Sequence, residues 1–76
     1  MATQPAPPRL RNRLRVARAE LRLSQGELAA LAGVTRQTIG AIENEQYVPS
    51  ACLAFVLARK LGKPVDGLFY LEGDAP

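Results

Sequence analysis

Residues 23–50 read LSQGELAALAGVTRQTIGAIENEQYVPS. Ser24 stands three residues before Glu27, the spacing of a capping box, in which each side chain satisfies an amide that the first turn leaves unpaired. Leu23 before the cap and Leu28 after it are placed as a hydrophobic staple. Gly33 supplies the left-handed residue that ends such a helix. A second helix restarts at once, with Thr35 as N-cap and Val34 and Ile39 as the second staple, and runs to about Asn44. Two capped helices joined by a glycine-containing turn of a few residues is the sequence form of a helix-turn-helix.

The flanks extend the same helical pattern. Upstream, the spacing predicts a helix from about Arg9 to Arg22. Leu10, Leu14, Ala17 and Leu21 fall in one stripe, and Arg11, Arg15, Arg18 and Arg22 in a second beside it. Arg18 lies closest to the apolar border. Downstream, Ser50 caps a fourth helix that turns Leu53, Val56, Leu57 and Leu61 inward and stops at Gly62. Pro64 fits the first turn of a short fifth helix with Val65, Leu68 and Phe69 apolar. Strand alternation is nearly absent, so the expected fold is all-α with five helices. The expected organisation is a proline-bearing leader over residues 1–8, one domain over 9–70 and a short tail over 71–76.

Composition narrows the chemistry. The 76 residues hold no histidine and one cysteine. That excludes a Ser/His/Asp or Cys/His catalytic set, an intramolecular disulfide and a His/Cys zinc site. The glycines are scattered and form no phosphate-cradling loop. No enzyme activity, cofactor, metal or small-molecule ligand is expected. No apolar run reaches membrane-spanning length and no signal pattern opens the chain, so a cytoplasmic location is expected. Cys52 is expected as a small buried hydrophobe. The net charge is +3. Residues 9–22 carry six arginines against Glu20 alone, a local +5 that leaves −2 for the rest of the chain. A concentration of arginine on one element is the footprint of a polyanion partner.

The third helix carries the recognition chemistry. Ile39 and Ile42 face inward, while Arg36, Gln37, Gly40, Ala41 and Asn44 face outward. An α-helix fits the major groove of B-DNA and its N-terminal residues reach base edges; arginine pairs with guanine and glutamine with adenine. Arg36 and Gln37 stand where that chemistry needs them, and Thr38 can offer its methyl or hydroxyl group.

The stretch resembles the Cro/cI-type (XRE) helix-turn-helix family of phage and bacterial regulators, which implies that the five helices form a lambda-repressor-like DNA-binding domain. The matching features are the LSQ-x-ELA opening, Ala29 at the helix crossing, Gly33 in the turn, VTRQTI entering the recognition helix and IEN…Y-x-PS leaving it. The resemblance implies base contacts from Arg36, Gln37 and Thr38. It implies backbone contacts from Gln25, Thr35, Asn44 and Tyr47, and the charge pattern adds Arg11 and Arg15. It also implies a structural ion pair between Arg18 and Glu43, which the helical angles of both residues favour independently. The expected partners are a double-stranded DNA operator and a second copy of the chain, in a homodimer that acts as a repressor or activator. Leu68, Phe69 and Tyr70 look like spare apolar residues, so the dimer interface is expected there with help from helix four. Glu45 replaces the glycine common at that point in the family. Asn44 is then expected to take the left-handed terminus and Glu45 to point away. The rival reading is a protein-interaction module that kept the fold and lost DNA binding, against which Arg36, Gln37 and the helix-one arginines argue.

Overall fold

The computed structural model describes residues 8–73. Their order is β1 (Leu10–Asn12), α1 (Leu14–Glu20), α2 (Gln25–Ala32), α3 (Arg36–Glu43), α4 (Ala51–Leu61), α5 (Val65–Leu68) and β2 (Phe69–Leu71). The five expected helices are present, but the fold is not purely helical. The expected leader lies outside the described residues except for its last position, as does the end of the tail.

The central helices form for the reasons their sequence carries. The Glu27 amide donates to Ser24 Oγ at 3.0 Å and the Ser24 amide to Glu27 Oε1 at 2.8 Å, completing the capping box. Gly33 closes α2 at φ 74°. Thr35 Oγ1 accepts from the Thr38 amide, and Ser50 Oγ from the Leu53 amide. Leu14, Leu28, Ile39, Ile42, Leu57 and Leu68 are the largest fully buried side chains, one or two from each helix. Four of the six remaining core positions are alanines, Ala17, Ala29, Ala54 and Ala58, and the other two are Leu61 and Phe69. Small side chains at a crossing let helix axes approach closely.

The first element departs from expectation. The chain from Leu10 to Asn12 is a strand, paired antiparallel with β2 in the register Leu10↔Leu71, Arg11↔Tyr70 and Asn12↔Phe69. Asn12 is the cause visible in the side chains. Its Oδ1 accepts from the Leu14 amide at 3.0 Å and its Nδ2 donates to the Ile42 carbonyl at 2.9 Å. Asparagine serves better as a helix start than as a helix interior, so α1 begins after it. The arginine stripe is therefore split: Arg11 belongs to the strand, and Arg22 follows the helix. Leu21 caps α1 and is half exposed rather than core. Phe69 leaves α5 for β2, where it is buried.

In α4 the inward stripe is Ala54, Leu57, Ala58 and Leu61, with Leu53 and Val56 only half-buried. Cys52, expected inside, lies on the opposite side of the helix and is exposed.

Two helices end on a left-handed residue that is not glycine: Arg22 at φ 56° after α1 and Glu45 at φ 61° after α3. After α1 the Arg22 amide bonds the Ala19 carbonyl and the Leu23 amide bonds the Arg18 carbonyl; after α3 Glu45 bonds Ile42 and Gln46 bonds Ala41. Both are Schellman closures. Asn44 keeps φ −87°, so the left-handed position expected for Asn44 falls to Glu45 instead.

A side chain with a Cβ costs about 1–2 kcal/mol in that conformation, partly offset in any glycine replacement by the extra freedom glycine has when unfolded. Arg22→Gly should therefore raise the melting temperature by a few degrees. Glu45→Gly should gain less or lose, because Glu45 also holds two arginines. Thermal unfolding of both variants checks this; a lower melting temperature for Arg22→Gly would show that its turn is unstrained.

Candidate nucleic-acid interface

At the C-terminal end of α3, Glu43 carries a carboxylate with no exposed surface. Arg18 grips it with two bonds, Nε to Oε2 at 2.7 Å and Nη2 to Oε1 at 3.2 Å. A two-pronged guanidinium–carboxylate bond fixes orientation as well as distance. Arg18 also donates through Nη1 to the Leu23 carbonyl at 2.8 Å. Gln25 Nε2 donates to Glu43 Oε1 at 3.0 Å, and Arg15 Nε approaches the same oxygen at 3.4 Å. The cluster therefore ties α1, α2 and the intervening turn to the end of α3.

Burial alone would raise the Glu43 pKa. The bonds from Arg18 and Gln25, the Arg18 charge and the bond from Arg15 outweigh it and hold the carboxyl below its ordinary value of 4.5. The bond to Glu43 correspondingly raises Arg18.

A second ionic cluster sits two residues on, at Glu45. Glu45 accepts from Arg9 Nη2 at 2.9 Å and from Arg11 Nε at 2.6 Å, and Glu72 lies 3.6 Å from Arg11. The Arg11 guanidinium is raised above its ordinary value chiefly by its hydrogen bond to Glu45. Glu45 thus faces β1, and the cluster joins β1 and the residue after β2 to the end of α3. Sequence reasoning missed it because it depends on the strand and on the left-handed turn. Asn12 was missed too, although an asparagine just before an apolar-periodic run is a recognisable helix-start signal.

The remaining site residues fall into two groups. Arg36, Gln37, Asn44 and Tyr47 are exposed, and Thr35 and Thr38 share a 3.0 Å hydroxyl contact at the start of α3. Arg36 and Gln37 make no side-chain hydrogen bond or ion pair among the described residues. Arg11 and Arg15, by contrast, already have partners: Arg15 reaches Asn44 Oδ1 at 3.0 Å as well as Glu43.

The expected dimer surface is corrected. Leu68 is 0% and Phe69 7% exposed, so both belong to the monomer core. Tyr70 is half-buried, with Arg13 5.9 Å above its ring. The exposed large apolar side chains in that half of the described chain are Tyr47, Val48, Phe55 and Leu71; of these Phe55, 62% exposed, stands on a helix, α4, beside exposed Ala51 and Cys52. Among the described residues no helix is long and apolar enough to cross a membrane, and there is no group of three or more metal-ligating side chains.

Comparison with known proteins agrees with this arrangement. A family model described as helix-turn-helix matches residues 14–68. An uncharacterized HTH-type transcriptional regulator of Methanothermobacter thermautotrophicus is 47% identical over 66 residues, 86% of this chain and 96% of the relative. The HTH-type regulator YgzD of Bacillus subtilis is 38% identical, covering 83% of this chain and 96% of its own. Among solved structures, the restriction-modification controller protein C.AhdI of Aeromonas hydrophila superposes with a TM-score of 0.69 at 34% identity, over 72% of this chain and 80% of its own. A Bacteroides fragilis protein shares the fold with a TM-score of 0.74 at 24% identity, over 80% and 98% of the two chains.

Glu43→Ala should cost about 3–5 kcal/mol of stability, because it strands the half-buried Arg18 charge. Arg15→Ala should cost well under 1 kcal/mol, since Arg15 is 62% exposed. Because the Glu43 pKa is lowered on folding, the stability this carboxylate contributes is complete above its ordinary value. It is lost as pH falls below about 4.5 toward the depressed folded value. Denaturant titrations of wild type and Glu43→Gln between pH 3 and 7 check this; equal acid sensitivity in both proteins would remove Glu43 as the source.

Proposed function

This chain belongs to the Cro/cI-type helix-turn-helix family of DNA-binding transcriptional regulators, and from that premise we propose that it is a sequence-specific repressor that binds double-stranded DNA as a homodimer, with α3 in the major groove. The observation that carries the reading is the free Arg36–Gln37 pair at the exposed start of α3. The arginines Arg9, Arg11, Arg15 and Arg18 are engaged by carboxylates of the same chain. Arg36 and Gln37 are left outside those clusters, on a helix whose other end is fixed by Glu43. Arginine pairs with guanine O6 and N7, and glutamine with adenine N6 and N7. Thr38 adds a hydroxyl and a methyl beside them.

Backbone contacts fall to Thr35 at the helix start, Asn44 and Tyr47 at its end, and the exposed guanidinium of Arg15. Arg11 supplies less free charge than its position in the sequence promised, because Glu45 and Glu72 offset it. A regulator of this kind works in the cytoplasm, where the DNA is. Repression follows from occupancy: a protein seated over promoter DNA excludes other proteins from that site.

One helix-turn-helix reads only a few base pairs, too little to find one site in a genome. A two-fold dimer reads two half-sites about 34 Å apart, one turn of DNA. With Leu68 and Phe69 in the core, the interface moves to the exposed α4 face around Phe55.

Selection from a random DNA pool tests the reading: recovery of an inverted repeat is the expected result, and recovery of no sequence would sink it. Binding should weaken with salt with a log–log slope of about −0.9 per phosphate contacted. Arg36→Ala should cost about 1–3 kcal/mol and relax the preference at one position per half-site. Sedimentation should show Phe55→Asp as a folded monomer that binds weakly, and Phe69→Asp as unfolded. A wild-type monomer that binds one asymmetric site tightly would overturn the dimer.

A further inference from the structure

Gln25 opens α2, yet its side chain lies against α3. Its Nε2 is held 3.0 Å from Glu43 Oε1. The chemistry fixes which end of the amide faces which way. A carboxylate only accepts, so the NH2 group must face Glu43 and the carbonyl must face elsewhere. Glu43 is itself immobilised by Arg18. The Gln25 amide therefore has one orientation, set by a buried anchor.

Gly40 shows where that amide lies. A Cβ built on Gly40 would stand 3.7 Å from Gln25 Nε2, 3.8 Å from Oε1 and 4.0 Å from Cδ. All three amide atoms lie within van der Waals reach of that point, so the amide packs against Gly40 with its nitrogen and oxygen nearest. Around α3, Gly40 projects between Arg36 and Gln37, about 40° from the first and 60° from the second. It shares a row with Arg36 and Glu43. The Gln25 amide thus covers a bare stretch of the recognition helix, on the outward side between the two reading residues. Glycine within a helix costs roughly 1 kcal/mol relative to alanine, and here its gap is occupied by a side chain from the neighbouring helix.

From this geometry we propose that Gln25 is a base-reading residue, its Oε1 presented in the major groove to the exocyclic amine of an adenine or a cytosine. The inference rests on the DNA-binding reading above and differs from the phosphate contact that the family resemblance implies for Gln25. Adenine N6 and cytosine N4 are the major-groove donors, and guanine and thymine present acceptors where those donors would be. Gln25 Oε1 accepts no hydrogen bond among the described residues and so remains available. Glu43 is the positioning residue: it holds the amide so that the carbonyl leads. The recognition surface then has three reading groups from two helices, Arg36 and Gln37 from α3 and Gln25 from α2. It compensates for the small side chains of Gly40 and Ala41 in the middle of the face.

The test uses the full chain and the DNA sequence recovered by selection. Affinity is measured for wild type, Gln25→Ala and Gln25→Met against that sequence and every single-base-pair change of it. Gln25→Met fills the same space over Gly40 and keeps the assay interpretable if the alanine variant unfolds. The expected result is a loss of roughly ten- to a hundred-fold on the selected sequence, confined to one position per half-site where wild type demands adenine or cytosine. At that position the variants should no longer discriminate. Replacing that adenine with purine, which lacks the N6 amine, should weaken wild type and leave the variants unchanged. A loss shared equally by all sequences would overturn the assignment in favour of a backbone contact, and no loss would overturn it outright. Both leave the DNA-binding reading intact, whereas failure of wild type to select any sequence would remove that reading and this proposal together.

Discussion

The fold depends on one buried carboxylate. Glu43 receives Arg18 from α1 and Gln25 from α2 while sitting on α3, and Arg18 in turn holds the Leu23 carbonyl at the turn between the first two. Three helices and a turn meet at a single anion. A buried ion is stabilising only when its partners replace the water it has lost. Here the two carboxylate oxygens receive bonds from Arg18 and Gln25 with Arg15 close by, and no buried side-chain polar atom is left unsatisfied among the described residues. The chain is short and has neither disulfide nor histidine-based metal site to supplement its core. Under that constraint a directional tie has a use that apolar packing lacks. It fixes the rotation of α3 about its own axis, and rotation decides which side chains face outward.

The second ionic cluster shows the same logic at a strained point. Glu45 occupies a left-handed position where glycine is the easier residue. The ion pairs with Arg9 and Arg11 give the carboxylate a reason to be there. They also explain how a two-stranded sheet of three residues each persists, since a lone hairpin-sized pair is marginal in water. β1 and β2 are held by packing of Phe69 and Leu10 against the core and by the bond from Arg11 to the end of α3. The turn after α3 and the pairing of the two strands are thus one arrangement.

The helix-turn-helix was legible because its signals are local: Ser24 with Glu27, Gly33, Thr35 and Ser50 all act within four residues of themselves. The Arg18–Glu43 contact was also foreseeable, since both residues border their apolar stripes. What could not be read was of two kinds. The strands are three residues long, too short to display alternation, and their pairing joins residues some sixty positions apart. The second kind was an error of weighting. Reading large aliphatic residues into the core ahead of alanine rotates the expected inward face of α4 away from Ala54 and Ala58 and turns Cys52 inside. The same bias made Leu68 and Phe69 look surplus. In a domain this small, alanine is what lets helices approach, and the large residues at the chain end are needed to close the core.

These placements change what the arginine-rich segment means. In the sequence, residues 9–22 look like a free cationic face. In the fold, four of the six arginines are paired with carboxylates of the same chain. A paired guanidinium has already exchanged part of its hydration for an anion, so it adds less to a long-range field than a free one. Attraction to a polyanion is correspondingly weaker and less uniform than composition implies. Discrimination then has to come from directed contacts rather than from charge. The architecture fits that division: carboxylates consume the arginines that flank α3 and leave Arg36 free at its exposed start. Glu43 sits at the centre of this division, because the carboxylate that neutralises Arg18 is the one that sets the rotation of α3 and hence the face that Arg36 and Gln37 present.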